Sequence, residues 1–295
     1  MNERDKELIQ RLHDNFNVCI QDAIALIHNL KPSLRISMGT DKSRELNEIL
    51  AQFNLKAAEP KTPSDSADKI FFIAKDDAIL NELRSFKPNL ENPGRIGELL
   101  GYPSCCVNSW IRTQKRETEE SFPRVSKCAS NDIDRMDHQL NFLLHTGSRL
   151  KIGTRTKKRF DEFLKQPFHP SRLSYLIPHI PCSFSCRHSK KYARALKHLL
   201  ERPFPEYLKQ MEYFLKKPVL LINDFEFLLF NGKITNNGRL SYDTVIDVNN
   251  LFKKGLIGKI AKGDGIAVSP GYFEIYDNGR RVGKINTKAE FFNFV

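Results

Sequence analysis

The apolar positions change period along the chain, and the changes divide it into three textures. In DKELIQRLHDNFNVCIQDAIALIHNL, Asp5 to Leu30, they recur at helical spacing and predict one long amphipathic helix. LRISMG, Leu34 to Gly39, alternates as a short strand does, and KSRELNEILAQFNL returns to the helical period. The Pro-, Ser- and Asp-rich EPKTPSDSAD, Glu59 to Asp68, reads as a loop. KIFFIA, Lys69 to Ala74, is then a strand running into the helical DDAILNELRSF, so the early elements on both sides of the loop can share one small α/β layer.

From NPGRIGELLGYP the pattern is mainly helical. Gly101 stands where a residue just past a helix end belongs, and Pro103 follows two places on, so RIGELL stops there and a new helix starts at Pro103 or Ser104. Helical periods recur in NDIDRMDHQLNFLLHTG, Asn131 to Gly147, in RFDEFLKQPF, and from about Ser183 to Glu201, where Pro203 ends the run. KIGTRTKKR, Lys151 to Arg159, reads as a basic loop. After Pro218 the texture turns β-branched and aromatic: PVLLINDFEFLLFNGKI, LSYDTVIDV and GIAVSPGYFEIYDNGRRVGKI are broken by Asn-Asp, Asn-Gly and Asp-Asn-Gly turns, which predicts a hairpin module of five or six strands. The fold class expected is α+β, with an N-terminal α/β segment over 1–68, a mainly helical cysteine-bearing domain over 69–217 and a C-terminal antiparallel β module over 218–295.

Composition adds little to the fold and more to the class. The chain of 295 residues is 40% hydrophobic and 28% charged, with no apolar run near the ~20 residues of a membrane span. Its N-terminus, MNERDKELIQRL, is charged where a signal peptide needs an apolar stretch, which places the protein in the cytoplasm. Lys and Arg exceed Asp and Glu by 47 to 35, a net charge of +12 that attracts an anionic substrate or a nucleic acid. The excess thickens at Lys151 to Arg159 and at Cys186 to His198.

The chemistry on offer is sulfur. Cys105 and Cys106 follow the Gly101-Tyr102-Pro103 turn and fall in the first turn of the helix predicted there. His179, Cys182 and Cys186 lie at spacings of three and four around a proline turn and the start of another helix. A helix N-terminus favours thiolate, and two pairs of Cys from separate segments form the common ligand set of a structural zinc; the same sulfurs suit an iron–sulfur cluster. Successive helical residues diverge by ~100°, so one of Cys105 and Cys106 is expected as ligand and the other as core, with His179 or His188 completing the set. Plain burial and a reversible disulfide are the competing readings for both pairs, and Cys19 and Cys128 read as buried thiols without a role. His138 and His145 share one face of the helix predicted over Asn131 to Gly147 and read as boundary histidines. Glu98, Asp132, Asp134, Asp137, Asp224 and Glu226 could each supply a base, and solvated surface explains each as well. No phosphate-binding loop, dinucleotide fingerprint, serine-hydrolase elbow or His-Glu-x-x-His motif is present.

GRIGELLGYPSCCVNSW and HIPCSFSCRHSKKYARAL, with HQLNFLLH between them and PVLLINDFEFLLF after, resemble an uncharacterised prokaryotic family with Leu-Gly-Tyr-Pro-x-Cys-Cys-Val and His-x-Pro-Cys-Ser-x-x-Cys motifs. The resemblance spans roughly Phe71 to Val248, marks Cys105 and Cys106 in the first motif and His179, Cys182 and Cys186 in the second, and implies that the two cysteine pairs form one site, without implying an activity. The expected function is that of a metal-binding protein. If the metal, zinc or an iron–sulfur cluster, is catalytic, His179 and an uncoordinated thiolate such as Cys105 act on an anionic substrate drawn in by the Arg187 to His198 helix. If it is structural, the protein is a basic module for a nucleic-acid or protein partner; a thiol redox protein is the third reading.

Overall fold

The computed structural model describes residues 1–16, 18–39, 42–61, 69–86, 92–114, 136–141, 151–154, 175–222, 227–235, 237–247 and 256–294. The fold is α+β, and the chain divides into two compact units. The first comprises Met1–Arg116, Pro178–Cys182 and Arg187–Pro205; the second comprises Glu117–Ile177, Ser183–Cys186 and Glu206–Val295. Among the described residues no helix is long and apolar enough to cross a membrane.

In the first unit the predicted long N-terminal helix is two helices. α1 (Glu3–Phe16) buries Ile9, Leu12 and Phe16 on one face, whereas α2 (Ile20–Ile27) buries residues all around, including Ile20, Ala23, Ile24 and Leu26. Cys19, in an extended conformation, precedes α2 and separates the two helices. Strands β1 (Ser33–Met38), β2 (Lys56–Ala58) and β3 (Lys69–Ala74) form an antiparallel sheet in the order β1-β3-β2. β1 and β3 register Ser33 with Ala74, so the strands on either side of Glu59 to Asp68 belong to one sheet. α3 (Ser43–Ala51) and α4 (Asp77–Ser85) accompany it. Asp76 caps α4 by accepting from the Ala78 and Ile79 N–H groups, and Phe72, Ala74, Leu80, Leu83 and Leu99 form a core cluster.

α5 (Pro93–Leu99) starts on an Asn92 cap with Pro93 at its first position and ends at Gly101, as predicted. Gly101 has φ +78°; its N–H donates to Glu98 O, and the Tyr102 N–H donates to Gly97 O, the paired bonds of a Schellman cap. A Cβ at Gly101 would stand 2.6 Å from Pro32 Cδ, so the position is closed to side chains by space as well as by conformation. The carbonyl of Pro103 then accepts from Cys106 and Val107 to open α6 (Ser104–Gln114). The Arg187–Glu201 helix lays Ser189, Tyr192, Ala193, Leu196 and Leu200 into the unit against α2. It starts four residues later than its period predicts, because Ser183 to Cys186 form a turn closed by the Cys186 N–H on Ser183 O.

The second unit is built on an eight-stranded antiparallel sheet, more strands than the turn signals predict. Its order is β10-β9-β8-β7-β6-β5-β11, with β4 also paired to β7. The strands are β4 (Lys151–Thr154), β5 (Val219–Leu221), β6 (Phe227–Ile234), β7 (Leu240–Asp247), β8 (Gly265–Ser269), β9 (Tyr272–Asp277), β10 (Arg280–Ile285) and β11 (Glu290–Phe292). The basic loop expected at Lys151 is strand at its first four residues, recruited by the second half of β7. Asn278 and Gly279 both take positive φ, which gives the β9–β10 hairpin the primed turn that matches strand twist. Leu228, Phe230, Ile266, Phe273 and Ile275 build the core with Ile257 and Ile260 of the Leu256–Lys262 helix. Phe184 is fully buried against Phe292 and Phe294. The helix predicted over Asn131 to Gly147 is not continuous: at 136–141, its described part, Met136 bridges to Phe294 and His138–Leu140 forms a 3-10 turn capped by Asp137.

Candidate metal centre

The sulfurs of Cys105, Cys106, Cys182 and Cys186 all lie within 4.8 Å of one another, a group that could hold a metal ion. α6 supplies the first two from its opening turn, the loop before the Arg187–Glu201 helix supplies Cys182, and Cys186 is the residue on which that helix begins. Cys106 and Cys186 are buried, while Cys105 and Cys182 are half-buried. Two helix starts thus stand at the thiols.

Neighbouring Cys105 and Cys106 both belong to this group of close sulfurs. Their sulfurs are 3.8 Å apart. The ~100° divergence of successive helical residues applies to the Cα–Cβ bonds. Rotation about those bonds swings both sulfurs into the gap between them.

Cys106 is the most enclosed acceptor of the group. It receives the Cys182 N–H at 3.4 Å, and the Ser189 hydroxyl lies 3.4 Å from its sulfur. Ser189 Oγ is in turn 2.8 Å from His179 Nε2. A thiolate can only accept, so with Cys106 ionised the Ser189 hydroxyl donates to sulfur and accepts from His179 Nε2–H, which fixes the histidine tautomer. His179 is buried, tilted against Tyr102 with ring centroids 5.3 Å apart and edge-on to Tyr192 at 6.3 Å. The Tyr102 ring lies 5.9 Å from Lys31 Nζ, and Lys31 holds Asp22 at 3.0 Å in an ion pair whose side chains are 4% and 13% exposed. Burial pulls the Lys31 pKa down, but the Asp22 carboxylate outweighs it and leaves the pKa above its ordinary value. Burial raises the Tyr102 hydroxyl, and raises Tyr192 well above the usual range. An unbroken series of contacts therefore runs from a buried ion pair through Tyr102, His179 and Ser189 to the Cys106 sulfur.

Cys105 has a further neighbour outside the sulfur group. Its sulfur is 3.6 Å from Nδ1 of His188, which is exposed. Neither His179 nor His188 belongs to the group of mutually close ligand atoms, which is all sulfur. Among the remaining residues singled out by sequence, half-buried Cys19 precedes α2 without a side-chain cap bond, Glu98 pairs with Arg95 and Asp137 caps the 3-10 turn that His138 begins. Cys128, His145, Asp132, Asp134, Asp224 and Glu226 lie outside the described residues. Sequence reasoning passed over Ser189 and Lys31. Ser189 had a visible signal, as the polar member of the apolar stripe that Tyr192, Ala193, Leu196 and Leu200 continue. Lys31 had none, because its partner nine residues earlier meets it only through the fold.

The fold and the thiol group define an α+β protein with a four-cysteine centre. Over residues 73–215 the chain matches the model of a family described as "Protein of unknown function (DUF483)". That span contains all four thiols and ends before Pro218, where the resemblance read from sequence runs on to Val248. No curated protein and no solved structure matches the chain.

Proposed function

We propose that the protein binds one zinc ion through the thiolates of Cys105, Cys106, Cys182 and Cys186, and that this ion is structural. The observation that carries the reading is the spacing of the sulfurs. A single ion with Zn–S bonds of about 2.3 Å needs a tetrahedron of edge about 3.8 Å. Four sulfurs within 4.8 Å of one another, two of them at 3.8 Å, are close to that size. A four-iron cluster holds each cysteine on a different iron and spreads the sulfurs further apart, so the distances favour a mononuclear ion. An all-cysteine set leaves no open position, the mark of a structural site. Bound there, zinc would tie the start of α6 to the start of the Arg187–Glu201 helix, segments 76 residues apart in sequence between Cys106 and Cys182.

Metal binding energy at such a site is folding energy. Chelation of the ion is expected to lower the melting temperature of the wild type and to leave Cys182→Ser, already destabilised, unmoved. A wild type whose melting is indifferent to a strong zinc chelator would refute the structural role. A second reading rests on the Cys105–His188 contact. A half-exposed thiol 3.6 Å from an imidazole has the makings of a nucleophile paired with its base. In that case Cys105 is the sulfur alkylated first by iodoacetamide, at a rate that His188→Ala lowers. Equal alkylation in both proteins removes this reading.

A further inference from the structure

The exposed face of the Arg187–Glu201 helix carries basic side chains in a straight line. Arg187, Lys191, Arg194 and His198 follow one another at intervals of four, three and four, all are exposed, and the helical repeat brings them within a narrow sector. His198 has a partner in Glu201 at 3.4 Å. Arg187, Lys191 and Arg194 form no ion pair among the described residues.

Elsewhere in the first unit several exposed cations pair with carboxylates, as in Arg11–Glu45, Arg44–Glu48, Lys56–Asp77 and Arg95–Glu82. In RHSKKYARALKHLLE, by contrast, Glu201 is the sole acid against five Lys and Arg residues. Like charges one turn apart repel, and Arg187 stands at the positive end of the helix dipole, so the helix itself gains nothing from this arrangement. An external polyanion would relieve both conflicts.

We propose that this stripe is a docking surface for the phosphate backbone of a nucleic acid. The eleven helical steps from Arg187 to His198 rise about 16 Å at ~1.5 Å each, the length of about five phosphates of one strand at ~3.4 Å each. Insertion into a lipid surface or a standard protein interface needs large apolar side chains at the contact. The exposed large hydrophobics among the described residues are Met1 and Val282, and neither lies on this helix. A line of Lys and Arg that form no ion pair among the described residues, on a helix without an exposed large hydrophobic side chain, fits contacts to phosphate that position a strand without reading its bases. The proposal stands apart from the zinc reading, since the metal-loaded protein is the one to be tested.

The test is fluorescence anisotropy with a labelled 20-base-pair duplex, and with one of its strands alone, at about 50 and 200 mM salt, the range over which phosphate contacts show their salt dependence. The wild type is compared with the triple variant Arg187→Ala, Lys191→Ala, Arg194→Ala and with a control triple at the β10 edge, Arg280→Ala, Arg281→Ala, Lys284→Ala. Three phosphate contacts contribute a slope of about 2.7 in log K against log salt on duplex DNA, so the wild type loses about 40-fold more affinity across this range than the helix triple does. The control triple is expected to bind as the wild type does. Lys191→Glu, a single change at the centre of the stripe, repeats the test should the triple melt early. Absent wild-type binding at the lower salt, an unaltered slope in the helix variants, or an equal loss in both triples would overturn the proposal. Competition by polyglutamate as effective as by unlabelled oligonucleotide would assign the stripe to an acidic protein instead.

Discussion

Lys31→Met removes one member of a buried ion pair and leaves the other without its cation. Lys31 and Asp22 are 3.0 Å apart, and at 4% and 13% exposure neither side chain can fall back on bulk water. Breaking a buried pair from one side costs about 3–5 kcal/mol, most of it the penalty of the stranded charge. With a urea slope of about 2 kcal/mol/M, the unfolding midpoint falls by about 1.5–2.5 M. The double variant Asp22→Leu, Lys31→Met recovers most of that, because apolar replacement of a whole buried pair is close to neutral. The variant also withdraws the cation near Tyr102, whose ring packs on His179, so the contacts leading to the Cys106 sulfur loosen together. Urea unfolding followed by far-ultraviolet circular dichroism measures the midpoint. A drop below about 0.5 M, the size of a surface pair, would refute the reasoning that this charge is buried and structural.

Ser189→Ala takes the hydroxyl from between His179 and Cys106 and is expected to cost about 1–3 kcal/mol by leaving buried polar groups unpaired; an unchanged urea midpoint contradicts it. Gly101→Ala meets both a positive φ and Pro32 at 2.6 Å, and is expected to destabilise by at least about 1–2 kcal/mol, measured as a fall in melting temperature. Two lysines give stability opposite dependences on alkaline pH. Burial, only partly offset by Asp243, pushes Lys217 down to about 8 from 10.5, so between these values the unfolded chain holds a proton that the folded chain has released. Stability therefore rises with pH across that window, and Lys217→Met flattens the rise. Lys31 is raised above 10.5, so its contribution is fully present below that value and is lost as pH climbs through the folded pKa; Lys31→Met abolishes that loss.

The parts of this fold legible in the sequence are those set by local chemistry. Gly101 and Pro103 marked a helix end and a helix start because left-handed φ and a missing N–H are properties of single residues. The Asp-Asn-Gly turn and the alternation of YFEIYD marked a hairpin for the same reason. Long-range pairing decided the rest. KIGT became a strand because β7 offered it an edge, and three-residue β2 and β11 are too short to carry a period. Ser183 to Cys186 left the helical period because Phe184 is buried against Phe292 and Phe294, more than a hundred positions along the chain. At the site, helix starts and cysteine spacing pointed to the four thiols. Rotation about single Cα–Cβ bonds, which spacing does not encode, decided that both Cys105 and Cys106 join them and that His179 serves Ser189.

The central claim is one ion held by four sulfurs, and elemental analysis of the purified protein beside Cys106→Ser and Cys182→Ser tests it most directly, with cobalt replacing the metal for an absorption spectrum. The account predicts one zinc per chain, its loss in both variants, and the intense thiolate-to-cobalt bands of a tetrahedral all-sulfur site. A wild type without stoichiometric metal, a metal content unchanged by both substitutions, or several irons with inorganic sulfide would contradict it.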